Sequence, residues 1–187
     1  MKKIALAATM AMALAGAAKA DLVDFVAVGG GVTTSPDLGY GTGSFEMDYG
    51  YHGGAMVGWN QSPEISFAAD VMFAESEYKG FSSSLQSLSV MLNAMYICDT
   101  GDFWRPYIGA GAGAVNLRYS GGNQFPTRTG SDWALGYQAM AGIAFDVDEK
   151  HAITIGYRYQ ASEDVSIKGI NNIEYASHNF SIGILFD

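Results

Sequence analysis

The sequence predicts an all-β fold, an eight-stranded antiparallel up-and-down β-barrel that crosses a membrane. Three observations lead there. Beyond residue 20, apolar residues recur with period two over stretches of nine to fifteen residues. The face opposite each apolar face holds small and polar residues, with Asp48, Asp70, Gln138 and Arg158 among them. Long and short connections alternate along the chain.

The first 20 residues stand apart from this pattern. Lys2 and Lys3 open the chain, an apolar run from Ile4 to Ala18 follows, and Ala18-Lys19-Ala20 precedes Asp21. That is the layout of a secretory signal peptide with a small-residue cleavage site. The expected division is a cleaved signal over 1–20 and one barrel domain over 21–187. Without Lys2, Lys3 and Lys19, seven of the ten basic residues remain against 19 acidic ones, a net charge of −12. Such acidity argues against a nucleic-acid partner, whose phosphates attract Lys and Arg. No later apolar run approaches the ~20 residues of a membrane-spanning helix. Cys98 is the single cysteine, so no intrachain disulfide forms.

Six strands can be phased residue by residue. Tyr49, Tyr51, Gly53, Ala55, Val57 and Trp59 share a face, in a stretch that starts at Phe45. Ile65, Phe67, Ala69, Val71 and Phe73 form the next, and Leu88, Val90, Leu92, Ala94 and Tyr96 the third. Trp133, Leu135, Tyr137, Ala139, Ala141, Ile143 and Phe145 line one side of a later strand. Ile153, Ile155, Tyr157 and Tyr159 follow, then Phe180, Ile182, Ile184 and Phe186. Two further strands, about Leu22 to Thr33 and Tyr107 to Tyr119, have a phase blurred by glycine. Soluble strands average ~5–6 residues, whereas a tilted membrane strand needs ~9–11. Small and polar second faces fit the narrow lumen of eight strands, and the large apolar faces fit lipid.

Among the connections, Asn60 to Pro63 and Asp146 to Lys150 are short, while Thr34 to Ser44, Ser120 to Ser131 and Ala161 to Asn172 are long. The expected orientation puts long loops outside the cell and both termini in the periplasm. Trp59, Tyr96, Tyr107, Phe145 and Phe186 are expected as an aromatic girdle beside the short turns. Tyr49, Phe73, Tyr119, Trp133 and Tyr159 are expected as the other.

The stretch Arg105-Pro106-Tyr107-Ile108-Gly109-Ala110-Gly111-Ala112-Gly113-Ala114 resembles a strand of small eight-stranded outer-membrane proteins. These are the opacity-protein and Omp25-like surface antigens, similar in architecture to the OmpA transmembrane domain. Residues 136–145 and 155–159 resemble the next two strands. Ser181 to Phe186 resembles the signal read by the barrel-assembly machinery, with Phe186 as its aromatic end and Asp187 added after it. The resemblance implies location in the cell outer membrane, contact with its lipid and lipopolysaccharide, and a structural or adhesin-like and antigen-like role. It implies function weakly, because a fold hosts many functions.

No phosphate loop, metal cluster or nucleophile elbow is present, and no cofactor is expected. The alternative reading is a lipid A-modifying hydrolase; Ser177, His178 and Glu174 are its only candidates. A soluble periplasmic ligand-binding barrel is the third reading. In the lumen, Asp48, Asp70, Arg118, Gln138 and Arg158 are expected to form a polar network, because charges in a narrow barrel must pair or meet water. Arg158 is expected to pair with Asp48 or Asp70. Tyr40, Tyr78, Phe81 and Phe125 lie in or beside Gly- and Ser-rich loops and are candidates for binding a host or surface partner.

Overall fold

A computed structural model describes residues 23–35, 38–40, 43–45, 48–77, 84–120, 130–167 and 170–187. The strands are β1 (Phe25–Thr34), β2 (Leu38–Tyr40), β3 (Gly43–Phe45), β4 (Gly50–Asn60), β5 (Ile65–Glu77), β6 (Ser84–Ile97), β7 (Trp104–Ser120), β8 (Gly130–Asp148), β9 (His151–Ile167) and β10 (Ile170–Phe186). Eight of them close a barrel in the order β1-β10-β9-β8-β7-β6-β5-β4, antiparallel throughout. Closure leaves no unpaired edge, which a lipid environment requires. β2 and β3 pair as a separate hairpin within the long connection from β1 to β4. The strand expected from Phe45 starts instead at Gly50.

The burial pattern is inverted relative to a soluble barrel. Leu92 and Ile182 are 67% and 62% exposed on the outer wall, while Gln138 and Gln160 are 3% and 0% exposed inside. Each large aliphatic side chain left in water would forgo roughly 1.5–3 kcal/mol. A continuous outer band of them is therefore a lipid-facing wall. All six phases read from the alternation hold, and β8 shows the rule most plainly: Gly136, Gln138 and Met140 are buried, whereas Trp133, Leu135 and Tyr137 are exposed.

Register resolves the two strands whose glycines hid their phase. Thr33 lies opposite the buried Asn179, so β1 turns Thr33 inward. In β7, Val115 and Leu117 are fully buried, so the odd-numbered residues face the lumen. Tyr107 is therefore inside and not in the girdle. The reason is visible across the lattice: Tyr107 lies beside Gly142 and, one strand further, Gly156. A Cβ on either glycine would come within 2.5 to 2.7 Å of the Tyr107 hydroxyl, so the ring occupies the space that two missing side chains leave.

The outer wall near the short turns carries the aromatic pairs Trp59–Phe67, Phe103–Phe145 and His151–Phe186. Nearer the long loops, Tyr157 and Tyr159 both pack on His178. The β6–β7 connection is a tight one. Gly101 adopts φ 70°, a left-handed conformation that glycine takes without strain, and its N–H donates to Asp99 Oδ1 at 2.8 Å.

Candidate functional site

The lumen is layered. At the short-turn end Phe25, Ala68, Met95 and Met140 form an apolar cluster, with Met56, Tyr107 and Leu185 packed against it. Above it lies a polar layer centred on Asp70. This carboxylate accepts from Asn93 Nδ2 at 2.5 Å, Gln138 Nε2 at 2.8 Å and Arg158 Nη1 at 3.1 Å. Gln138 also donates to Asn93 Oδ1 at 2.6 Å, and Gln160 Nε2 reaches Gln138 Oε1 at 3.4 Å. Four strands thus converge on one buried anion. A carboxylate so placed is stable because both of its oxygens meet donors, one of them a guanidinium.

Of the residues expected in this network, Asp70, Gln138 and Arg158 are brought together and two are not. Asp48 precedes β4 and is exposed; its carboxylate accepts the Tyr49 N–H at 2.8 Å. Arg118 lies opposite Gln86 and is exposed. That register puts it on the outer face, away from the inward Val115 and Leu117. The glycines of β7 concealed that phase. Sequence reasoning missed Asn93, Gln160, Asn179 and His52 as lumen partners, although Asn93, Gln160 and His52 sit on the small, polar faces of strands that were phased. Glu46, which shares the inward phase of Asp48 in the sequence, lies outside the described residues.

A second layer follows towards the long loops. The Tyr175 hydroxyl donates towards Ser87 Oγ at 3.0 Å and lies 3.1 Å from Ser177 Oγ. Asn179 Nδ2 donates to Ser177 Oγ at 3.1 Å. Ser177 is completely buried in the lumen. His178, the next residue, points out of the barrel, where its Nδ1 lies 2.7 Å from the Tyr157 hydroxyl. Successive strand residues face opposite sides, so this serine and this histidine do not meet. The side chain of Glu174 lies outside the described residues.

At the short-turn mouth Arg105 binds Asp146 through Nε and Nη2 at 3.0 and 2.7 Å and Asp187 through Nη2 at 3.1 Å. The added C-terminal Asp187 is thereby tied back to β7. Phe186 is partly exposed on the outer face, edge-on to the His151 ring. Among the described residues no group of three His, Cys, Asp or Glu is placed to hold a metal ion. The loop candidates fall beyond view: the Tyr40 side chain, and Tyr78, Phe81 and Phe125 entirely, lie outside the described residues.

The family profile described as the outer membrane protein beta-barrel domain matches residues 4–186. The chain belongs to that family. No curated protein sequence matches it. Among solved structures it resembles Neisserial surface protein A, with a TM-score of 0.65 and 18% identity over 87% of this chain and 95% of that one. It also resembles the outer membrane protein OprG from Pseudomonas aeruginosa, with a TM-score of 0.51 and 15% identity over 88% and 96% of the two chains. At such identities the likeness speaks to fold alone. As a member of this family the chain is an outer-membrane β-barrel, which rules out the soluble periplasmic barrel that composition had left open.

Proposed function

We propose that this outer-membrane barrel is an anchored platform that presents its long loops to surface partners, in the manner of an adhesin or antigen, and performs no catalysis. The observation that supports this reading is the pair of links across the lumen. Arg158 on β9 reaches Asp70 on β5, and Tyr175 on β10 reaches Ser87 on β6. In the closed order each pair stands four strands apart, on opposite walls. Eight strands leave an interior about wide enough for side chains to fill, and these links cross it at the Asp70 and Tyr175 layers. A stiff, crossed barrel suits a support for loops better than a general diffusion pore.

In this reading residues 1–20 are removed on export. Phe186 is read by the assembly machinery, and lipid and lipopolysaccharide cover the outer wall. The short turns and both termini face the periplasm because outer-membrane barrels keep their long loops outside. The hydrolase alternative has lost its Ser177–His178 pair, since the two side chains lie on opposite faces.

The test is adhesion of whole cells to host cells. One strain carries the intact chain, and another has residues 78–83 and 121–129 replaced by two-residue turns. Loss of adhesion with the barrel still showing heat-modifiable gel migration supports the platform. Unchanged adhesion with folded barrel overturns it.

A further inference from the structure

We propose that the short-turn half of the lumen is a binding cavity for a small organic cation, a protonated amine on an apolar body. The inference goes beyond the loop platform and holds whichever partner the loops meet.

A cavity of about 700 Å³ runs from the short-turn mouth to the Asp70–Arg158 pair. That size lies within the ~300–1,000 Å³ of small-molecule sites. Phe25, Met56, Met95, Met140, Tyr107 and Leu185 supply its apolar walls. Methionines adapt to irregular shapes, and the faces of Phe25 and Tyr107 attract cations.

The inner end holds two unmet polar atoms. His52 and Asn179 both line the cavity and are 8% and 1% exposed. The His52 Nδ1 is buried without a partner. In the neutral tautomer that carries its proton on Nε2, Nδ1 offers a lone pair. Asn179 spends its Nδ2 on the Arg158 carbonyl and Ser177 Oγ, while its Oδ1 is buried without a partner. Both unmet atoms are acceptors. An acceptor left so is costly unless a donor arrives, and a molecule entering this end gains by bringing N–H groups.

The mouth selects the sign of charge. Asp99, Asp146, Asp148, Glu149 and Asp187 line it, with Arg105 as the one base among the described lining residues there. Arg105 is already held by Asp146 and Asp187. Five carboxylates against one paired arginine repel an anion on entry and draw a cation in. Deeper in, the positive charge of Arg158 is balanced by Asp70, which its Nη1 meets at 3.1 Å.

The experiment uses the mature chain in lipid nanodiscs, with empty nanodiscs as the control for partition into lipid. The probes are 2-phenylethylammonium, 2-phenylethanol and 3-phenylpropionate, followed by titration calorimetry. The ammonium should bind saturably at one site per barrel, the alcohol at least tenfold more weakly, and the carboxylate not at all. His52→Phe should weaken the ammonium at least tenfold, and Met140→Trp should weaken it by narrowing the cavity. Asp99→Asn combined with Glu149→Gln, on exposed residues, should weaken it about threefold and flatten its salt dependence. Heat-modifiable migration checks that each variant folds; if His52→Phe does not fold, the mouth variant decides. Absence of saturable binding means that water alone meets the two acceptors, and it overturns the proposal. So do equal binding of the three probes and indifference to the variants. Both ends of a nanodisc are open to solvent, so failure here leaves the loop platform untouched, and loss of the loops leaves this site intact.

Discussion

Arg158 Nη1 lies 3.1 Å from Asp70 Oδ1 although 88 residues separate them in the chain, because β9 and β5 stand on opposite walls of the barrel. The pair is partly shielded, with the aspartate side chain 2% and the arginine 18% exposed. Removing one partner of a buried pair can cost ~3–5 kcal/mol, and the open side of Arg158 lowers that figure. Arg158→Met should therefore destabilise the barrel by about 2–3 kcal/mol. Lys150→Met, in an exposed turn, should be near neutral. Urea unfolding in lipid bilayers measures both; equal midpoints would deny the link its structural weight.

The lipid face makes a second prediction. Ala139 is exposed on the outer wall of β8, between Leu135 and Ile143 on the same face. An arginine near the bilayer midplane costs ~2–4 kcal/mol. Ala139→Arg should lose that much unfolding free energy in lipid. A change within error would mean that this strand meets water.

How far the sequence disclosed these features depended on one signal, the alternation of large apolar with small or polar residues. Where that contrast was strong, as from Leu88 to Tyr96, phase and face followed directly. Where glycine stood on both faces, it failed. Tyr107 then read as an interfacial aromatic, because nothing local shows that Gly142 and Gly156 lie beside it. Arg118 read as inward for the same reason. The Asp70 cluster was half legible: Gln138 and Arg158 are polar residues on phased strands. The choice of Asp70 over Asp48 rests on register across four strands, which no local pattern encodes.

The third prediction tests the absence of catalysis. Ser177 faces Tyr175 and Asn179 in the lumen, while His178 faces Tyr157 outside. Ser177→Ala and His178→Ala should leave the lipid A acyl pattern of cells as it is with the intact chain. Mass spectrometry of lipid A from cells with and without the protein provides the readout. An acyl loss that depends on the chain and disappears with His178→Ala would restore the hydrolase reading.

The last prediction uses the two glycines beside Tyr107 to separate a rigid obstacle from a movable one. A Cβ at Gly142 would meet the Tyr107 hydroxyl at 2.5 Å and the Ile155 backbone carbonyl oxygen at 2.6 Å. At Gly156 the nearest atom is the same hydroxyl at 2.7 Å, and the next is Ser181 Oγ at 3.5 Å. Backbone in a closed barrel cannot retreat, because each strand is bonded on both sides; a tyrosine tip can. Overpacking typically costs ~1–3 kcal/mol, so Gly142→Ala should lie in that range and Gly156→Ala near or below its lower end. Tyr107→Phe removes the hydroxyl that both substitutions meet. In that background Gly156→Ala should become neutral, while Gly142→Ala should keep most of its cost against Ile155 and the ring carbon that phenylalanine retains at 2.6 Å. The double-mutant cycle therefore gives a coupling near the full effect for Gly156 and a partial one for Gly142. The same unfolding assay in lipid reads it. Equal couplings at the two sites would mean that Tyr107 does not stand over these glycines, and would return its ring to the outer face.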